Sequence, residues 1–400
     1  MRLGEISRAD STAPSNLAAN ASFVPIGIVT VLLGPLLPTL SSRWSLDYLQ
    51  AGSLFTAQFL GSTLGVVLSG FIISRWGYRF AIRAGLVAMA VGVGSLPFGS
   101  RLSGLICIFF YGSGLGLAIP AVNLLVAAVN AERRSAALNR LNFWWSMGAV
   151  ACPFIVASAA RINQIQMLLA TLAGSLVLVL FGSARLPSFV ESATEGGRDN
   201  KLSDTSPANW SWRPLAFLGA LFFLYVGAEN AFGGWIASYA KSLSTASPTL
   251  SVMTPSFFYA AVMAGRWLAP RVLKKTGDIK TARAGLFVAF LGMAGLIFSR
   301  TVPLVMSSVS VAGLGLAAVY PITISRLSQE FGTAASRVGS VMFTLANLGG
   351  ATLPWLVGYS SHEFNNLGVG LAVPVAATGL MLLLYCFYRG DSEPRAAGQM

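Results

Sequence analysis

Charged side chains are scarce in this sequence of 400 residues. Asp, Glu, Lys and Arg make up 10% of it, whereas hydrophobic residues make up 54%. A soluble domain carries about a quarter charged residues. Because so few charges cannot cover a surface that faces water, most of this surface must face lipid. The composition excludes a soluble enzyme and a disordered or fibrous chain, and the mean hydropathy of +0.68 agrees.

Residues that bind metals or react as nucleophiles are equally rare. The three cysteines, Cys107, Cys152 and Cys386, lie in apolar runs without the close spacing of a disulfide or metal framework. His362 is the single histidine, so we expect no metal cluster, Ser-His dyad or paired-carboxylate site. No Lys-Ser or Lys-Thr follows the glycine-rich stretches, which excludes a phosphate-binding loop. We therefore expect neither a cofactor nor an enzymatic activity.

Long apolar runs are what the sequence does contain. A helix needs about 20 mostly apolar residues to cross a bilayer. The runs predict twelve transmembrane helices, near 19–41, 47–73, 80–99, 102–129, 140–160, 164–186, 212–240, 252–272, 281–299, 302–327, 336–359 and 366–388. No small-residue cleavage site follows the first run, which predicts a retained first span rather than a signal peptide.

The distribution of basic residues predicts the orientation in the membrane. With both termini in the cytoplasm, the outer loops hold five of the 27 Lys and Arg residues, namely Arg43, Arg101, Arg161, Lys241 and Arg300. The others lie in cytoplasmic segments or near cytoplasmic helix ends, as the positive-inside rule requires. The net charge of +13 therefore reports orientation and not nucleic-acid binding. The short loops favour a bacterial inner membrane.

One polar stretch, 187–211, interrupts the apolar pattern, and its Ser, Gly, Asp and Glu content predicts a flexible cytoplasmic linker. It separates an N-terminal six-helix bundle, 1–186, from a C-terminal six-helix bundle, 212–400. The halves share three short matches in the same order: Arg83-Ala-Gly-Leu with Arg283-Ala-Gly-Leu, Gly114-Leu-Gly-Leu-Ala with Gly313-Leu-Gly-Leu-Ala, and Gly148 and Pro153 with Gly349 and Pro354. Two similar six-helix halves are the plan of an alternating-access transporter.

The loop after the second helix reads Gly70-Phe-Ile-Ile-Ser74-Arg75-Trp76-Gly77-Tyr78-Arg79. It resembles the G-xxx-D-R-x-G-R/K loop of the major facilitator superfamily, with Ser74 in place of the usual Asp. The resemblance implies the major facilitator fold, an all-α membrane protein with twelve transmembrane helices in two six-helix bundles. A partial second copy, Gly265-Arg266-Trp-Leu-Ala-Pro-Arg271, lies in the last part of predicted helix eight and is followed by Lys274-Lys275-Thr276-Gly277.

We expect Arg75, Arg79 and Arg266 to lie at the inner ends of helices two, three and eight. There they would contribute to a gate that stabilises the outward-open state, beside glycines that let helices approach closely. The alternative is that these arginines only obey the positive-inside rule.

Two further segments resemble a narrower group. Gly114–Asn123 with Arg140–Trp145 is similar to helices four and five of the fucose/glucose symporter family, and Tyr225–Tyr239 is similar to helix seven of the sodium-dependent glucose transporters. The resemblance implies cation-coupled uptake, with a proton or sodium, of a hexose or similar sugar. One departure is Ile119, which stands where several proton-coupled fucose-type members carry an acid.

Glu229 is the one acid of fourteen that the runs place inside an apolar segment. A carboxylate there costs about 2.5–3.5 kcal/mol on insertion scales, so we expect it to face a water-filled cavity. It predicts a cation-coupling site, either a carboxyl that takes up and releases a proton or a sodium ligand. A structural hydrogen bond and a direct sugar contact without coupling stay open as alternatives.

Amide and aromatic side chains within the helices complete the predicted substrate site. Hexoses are bound by amides and by an aromatic face against their C–H side. The candidates are Asn123, Asn142, Trp145, Asn230, Asn347, Trp235, Tyr320 and Gln58. The resemblance implies a sugar contact for Trp145. For each of the others, a contact between helices is the alternative, since Asn joins transmembrane helices and Trp marks membrane interfaces.

Two other functions stay open. Efflux antiporters for amphipathic drugs or small metabolites often carry a G-xxx-G-P-xx-G-G signature on helix five, and the segment Gly148–Val156 keeps its proline but not its later glycines. A non-transporting receptor or scaffold is the third alternative. For the preferred symporter we expect a monomer whose partners are a small-molecule substrate, a proton or sodium ion and the lipid bilayer, with no nucleic acid and no metal.

The predicted topology can be checked by cysteine labelling from outside the cell. A cysteine that replaces His362, in an outer loop, should react with an impermeant reagent, and one that replaces Asn200, in the linker, should not. Labelling of position 200 from outside would overturn the orientation.

Overall fold

The structure is a computed structural model that describes residues 20–130, 134–183, 186–187, 212–243, 247–331 and 335–387. These residues form helices with short connections and no strand. In chain order the helices are α1 (Asn20–Val31 and Leu33–Trp44), α2 (48–76), α3 (78–95), α4 (Arg101–Val129), α5 (Arg134–Arg161), α6 (Ile165–Gly182), α7 (Trp212–Ser242), α8 (Pro248–Thr276), α9 (Asp278–Phe298), α10 (Val302–Leu316 and Val319–Phe331), α11 (Ala335–Glu363) and α12 (Leu367–Gly370 and Ala372–Phe387).

The described part of the chain supports twelve membrane spans. Nine of its helices are long and apolar enough to cross a membrane, or ten with the two segments of α1, which are bent by 43°. One of the nine, Tyr48–Phe98, has 51 residues. It is too long for a single span of about 30 Å, and Gly77 divides it into α2 and α3. The 29-residue α8 is less apolar but long enough to span. The predicted all-α membrane protein with twelve transmembrane helices is confirmed.

Prolines explain where three of the twelve helices are interrupted. α1 breaks before Pro35, α10 before Pro321 and α12 before Pro374, in each case three or four residues ahead of the proline. Proline has no N–H for the carbonyl four residues earlier, and its ring crowds that carbonyl. The turn therefore opens at that carbonyl rather than at the proline itself.

Gly77 and Gly277 mark the structural repeat of the two halves. They are the two glycines with positive φ among the described residues, with φ 82° and ψ 172° at Gly77 and φ 75° and ψ 169° at Gly277. This backbone conformation is almost restricted to glycine. In each half it reverses the chain between the second and third helix, and the two positions lie 200 residues apart.

Arginines repeat at the same interval. Arg83 Nε of α3 donates to Ser183 Oγ at 3.1 Å, just after α6. Arg283 Nη2 of α9 donates to Tyr385 O at 2.8 Å in the last turn of α12. In both halves a guanidinium therefore binds the carboxyl-terminal end of the sixth helix of the bundle, where the helix dipole favours a cation.

Close contact of small residues holds the third helix of each half against the fourth. A Cβ built on Gly114 would lie 2.5 Å from Gly85 O, and one built on Gly285 would lie 2.6 Å from Gly315 O. Neither position could take a side chain without moving a backbone. Gly114 and Gly315 therefore occupy equivalent positions in the two halves. The sequence match instead aligned Gly114 with Gly313, two residues earlier.

The outer end of the bundle is defined as the end at which α1, α3, α5, α7, α9 and α11 finish, the side predicted to face away from the cytoplasm. Trp44 Nε1 of α1 donates to Gly99 O after α3 at 3.0 Å. Tyr239 Oη of α7 donates to Ile297 O of α9 at 2.9 Å. These bonds place the finishing ends of neighbouring helices at the same level.

Parts of the predicted organisation lie outside the described residues. They include 1–19, 388–400 and all of the predicted linker 187–211 except Pro187. The division into an N-terminal bundle, a linker and a C-terminal bundle stays a prediction, with α6 ending at Gly182 and α7 beginning at Trp212.

The backbone of Gly77 gives a test of the fold. Gly77→Ala should lower the thermal stability of the detergent-solubilised protein, because a Cβ in this conformation costs about 1–3 kcal/mol. Gly70→Ala is the matched control, since Gly70 is helical and has no atom within 4 Å of the added Cβ. It should be neutral or stabilising. Equal stability of the two variants would contradict the role of Gly77.

Candidate functional site

The two halves touch along the outer part of the bundle. Thr56 Oγ1 of α2 donates to Ala351 O of α11 at 2.9 Å. Lys241 Nζ at the end of α7 donates to Pro38 O of α1 at 3.3 Å. α5 packs on α8 in the same way. Contacts between the halves continue inward from this end at least to Ser62 of α2, which donates to Asn347, and to Arg266 beside Trp145, so the halves are in contact on the outer side.

Trp235 belongs to this closed outer side. Its side chain is 1% exposed and its Nε1 donates to Pro354 O at 3.0 Å. Its ring lies 6.3 Å from that of Tyr48 and 6.1 Å from that of Phe55, both on α2 of the other half. The predicted substrate contact of Trp235 is therefore covered in this conformation, and the residue packs between α2, α7 and α11.

The side-chain amide of Gln58 connects three helices through hydrogen bonds. Its Nε2 donates to Thr30 O at 3.2 Å, and its Oε1 accepts from Tyr111 Oη at 3.0 Å. It lines a cavity of ≈ 10 Å³ together with Thr30, Asn230 and Tyr259. That volume is about the space that one water molecule needs. The cavity brings Gln58 and Asn230 together from opposite halves, but it is far too small for a sugar.

Glu229 lies midway along α7 next to an arginine. Its Oε1 is 3.8 Å from Arg266 Nη2 on α8, and the two side chains are 19% and 26% exposed. Tyr225 Oη, one turn earlier on α7, donates to Glu229 Oε1 at 3.4 Å and to Leu316 O at 3.3 Å. The carboxylate therefore has a cationic neighbour and a hydroxyl neighbour, both at long distances.

Trp145 connects this pair to the N-terminal half. The guanidinium carbon of Arg266 lies 6.0 Å from the centroid of the Trp145 ring, at the limit of a cation–π contact. The indole Nε1 donates to Thr30 Oγ1 at 3.3 Å. Side chains from α1, α5, α7 and α8 thus meet at one place between the halves.

Tyr320 lies on the other side of Tyr225. The two rings stack with centroids 5.3 Å apart, and Tyr320 also meets Phe222 edge to face at 6.0 Å. Tyr320 therefore lies near Glu229, with Tyr225 in contact with both residues. It is half-buried at the start of the second segment of α10.

The four asparagines differ in what they reach. Asn123, Asn142 and Asn230 each donate to the carbonyl four residues earlier on their own helix, at 2.8, 2.9 and 2.8 Å. Asn347 accepts from Ser62 Oγ of the other half at 3.5 Å. Asn230 is next to Glu229 in sequence and lines the small cavity, whereas Asn142 is exposed near the inner end of α5.

The three predicted gate arginines do not lie together. Arg75 lies over the ring of Trp76, 5.8 Å from its centroid, and Arg79 Nε donates to Leu186 O at 2.5 Å within its own half. Arg266 lies ten residues before the end of α8, about 15 Å along the helix. Arg75 and Arg79 therefore lie at the ends of α2 and α3 opposite the outer end, and Arg266 instead lies beside Glu229.

Repeat geometry explains the displaced arginine. Gly277 is the structural partner of Gly77, so the second copy of the loop is Lys274-Lys275-Thr276-Gly277 and not the segment around Gly265. By the 200-residue interval, Arg266 corresponds to Val66 in the middle of α2. The interval between Gly77 and Gly277 marks this register, whereas Gly265-Arg266 resembles the loop motif without occupying its position.

Several site residues carried no sequence signal of their own. Thr30 and Tyr259 lie in apolar runs and were not among the candidates, although both line the small cavity. Tyr225 is marked only by its position one turn before Glu229. In the described ranges, no three His, Cys, Asp or Glu side chains are grouped as metal ligands would be.

Comparisons with known proteins agree with this architecture. Residues 21–354 match the family model described as Major Facilitator Superfamily. The chain is 26% identical over 355 residues to a glucose/galactose transporter of Brucella abortus, covering 83% of this chain and 84% of that protein. It is 21% identical to the human sodium-dependent glucose transporter 1, covering 90% and 76%.

A solved structure gives the same result for the fold. The crystal structure of a D-xylose-proton symporter superposes with a TM-score of 0.76 at 16% identity, covering 93% of this chain and 96% of that one. The family model matches more than half of the sequence. The fold, with its repeat and its contact between the halves, agrees with that of the solved structure. The chain belongs to the major facilitator superfamily.

Proposed function

We propose that this chain is a secondary active transporter that takes up a hexose or similar sugar by alternating access, coupled to a proton or a sodium ion. The observation that carries the proposal is the meeting of Glu229 and Arg266 with Trp145 between the two halves. Relatives named as glucose transporters cover most of the chain, which supports a sugar as the substrate.

The conformation supports alternating access. The outer contacts run from the helix ends to the level of Ser62, and the Glu229 side chain lies deeper than Trp235 along α7. A solute held at Glu229 would be shielded from the outer side by Trp235 and Phe55. A rocking motion of the halves would have to separate these two rings in order to admit solute from outside.

The chemistry of the site suits a polyol. Trp145 offers an aromatic surface for the C–H side of a sugar ring, while amides and charged groups can bind hydroxyls. Asn230 and Asn347 stay proposed ligands, and Asn123 is a proposed ligand whose amide bonds to its own helix in this conformation. Asn142 is the weakest of these because it lies near the inner end of α5.

Glu229 is proposed to couple transport to the cation. It is the acid that lies inside a membrane span near the boundary between the halves, and its nearest cation is 3.8 Å away. A loose partner leaves the carboxylate oxygens available to a proton or to sodium.

The positive-inside pattern supports an orientation in a bacterial inner membrane with both termini in the cytoplasm.

The coupling role can be tested with Glu229→Gln in proteoliposomes. The variant keeps the shape of the side chain but cannot carry the cation, so sugar should still exchange down its gradient and should not accumulate under an imposed proton or sodium gradient. Labelled sugar uptake measures both activities.

Glu363→Gln is the matched control, since Glu363 is an exposed acid at the outer end of α11. It should accumulate sugar like the unmodified protein. Accumulation by Glu229→Gln at the normal level would assign the carboxylate a structural or sugar-binding role instead.

The role of Trp145 can be tested by sugar binding to the purified protein. A stacked aromatic contributes about 0.5–1.5 kcal/mol beyond its buried area, so Trp145→Ala should weaken binding about tenfold. Trp144→Ala is the control, because adjacent residues on a helix point about 100° apart and the Trp144 ring packs edge to face on Phe143. Equal losses in both variants would contradict a specific role for Trp145.

A further inference from the structure

Arg266 is a cation inside a membrane helix, and that position needs an explanation. It lies ten residues before the end of α8, and its structural counterpart in the other half is Val66. A charged side chain in a span is costly and normally faces the interior of the bundle or a water-filled cavity. The N-terminal half builds the same helix with an apolar residue at this position, so the scaffold itself does not require the arginine.

The contact with Glu229 does not use the guanidinium fully. The distance of 3.8 Å from Nη2 to Oε1 is longer than a hydrogen bond. Arg266 Nε is buried and has no hydrogen-bond partner among the described residues. A structural Arg–carboxylate pair usually forms two parallel bonds at about 2.7–2.9 Å. Within the described part of the chain, the guanidinium therefore has an unpaired Nε edge, the edge that binds two oxygens side by side.

The neighbouring aromatic residue points to the same place. Arg266 lies 6.0 Å from the ring of Trp145, which belongs to the opposite half. On the same helix, Arg271 lies 4.1 Å from the ring of Trp267, but both of those side chains are exposed on the outside of the bundle. Arg271 and Trp267 form a short contact on the surface, whereas the longer contact of Arg266 with Trp145 lies at the boundary between the halves.

We propose that Arg266 binds the transported solute directly, with its Nε edge holding two adjacent oxygens, while Trp145 covers the apolar side of the same molecule. The inference rests on the proposed transport function and names a ligand group for it. Two adjacent oxygens are found in the vicinal hydroxyls of a neutral sugar and in the carboxylate of a sugar acid. Arg266 is thus a substrate-binding residue and not part of the inner gate.

Glu229 has a second role in this arrangement, as the resting partner of the arginine. Without solute, the two opposite charges offset each other inside the membrane. When Arg266 turns to the solute, Glu229 loses its nearest cation and gains affinity for the coupling ion. Conversely, an ion on Glu229 frees Arg266 for the solute. Solute and cation should therefore promote each other's binding, as linkage requires of two ligands that share one switch.

The experiment compares binding of glucose and of glucuronate to the purified full-length protein with Arg266→Gln, Arg266→Lys and Glu229→Gln. Arg266→Gln should weaken binding of the transported ligand at least about tenfold. Arg266→Lys should recover only part of the loss, because an ammonium cannot hold two oxygens in a fork. Glu229→Gln should bind the solute at least as tightly as the unmodified protein, since the competing carboxylate is gone.

Arg271→Gln is the matched control, an arginine on the same helix that also lies over a tryptophan. It should bind like the unmodified protein, and thermal unfolding of every variant separates loss of binding from loss of folding. The ligand whose affinity falls with Arg266→Gln identifies the source of the oxygen pair, either glucose or glucuronate. Unchanged affinity in a folded Arg266→Gln or Arg266→Lys protein overturns the inference.

The outcome for the proposed function is read separately. If the unmodified protein transports a sugar and Glu229→Gln abolishes accumulation while Arg266→Gln binds normally, only the role of Arg266 is wrong. If the unmodified protein binds and transports neither sugars nor sugar acids, both proposals fail.

Discussion

The absence of water inside a bilayer is the constraint on which the rest of this structure depends. Every backbone N–H and C=O within the span must be paired inside the protein, and the helices of the described residues meet this requirement within each span. Departures are then confined to residues that cannot obey. Pro35, Pro321 and Pro374 open the turns that precede them, and Gly77 and Gly277 reverse the chain at the inner surface with a backbone conformation that other residues avoid.

The same scaffold is built twice, and the candidate site lies where the two copies differ. The repeated features are structural: the positive-φ glycines, the arginines of α3 and α9 that bind the ends of α6 and α12, and the close contacts between small residues. The charges at mid-depth are not repeated. By the 200-residue interval, Glu229 corresponds to Val29 and Arg266 to Val66. Valine at the matching levels of the N-terminal half shows that this scaffold can be built without the two charges, which supports the proposal that they are present for what they bind.

Sequence patterns predict the parts of this molecule that lipid dictates. Apolar length marks the helices, basic residues predict an orientation, and a lone carboxylate within a run marks Glu229. Contacts between distant helices leave no such pattern. Trp235 reads as a candidate ligand until the structure shows its ring between Tyr48 and Phe55. Arg266 reads as a charge at a helix end because a Gly-Arg pair resembles the loop motif, and only the conformation of Gly277 corrects the register.

The proposed site would join two requirements of coupled transport in one set of side chains. The solute contact must involve both halves, since only then does binding report on their relative position, and Trp145 with Arg266 meets that condition. The ion contact must be linked to the solute contact, and Arg266 meets this second condition because it lies next to Glu229. A tighter ion pair would satisfy both charges and leave neither available, whereas two isolated charges would be too costly in the membrane. The contact of 3.8 Å between them lies between these limits, as the proposed exchange of partners requires.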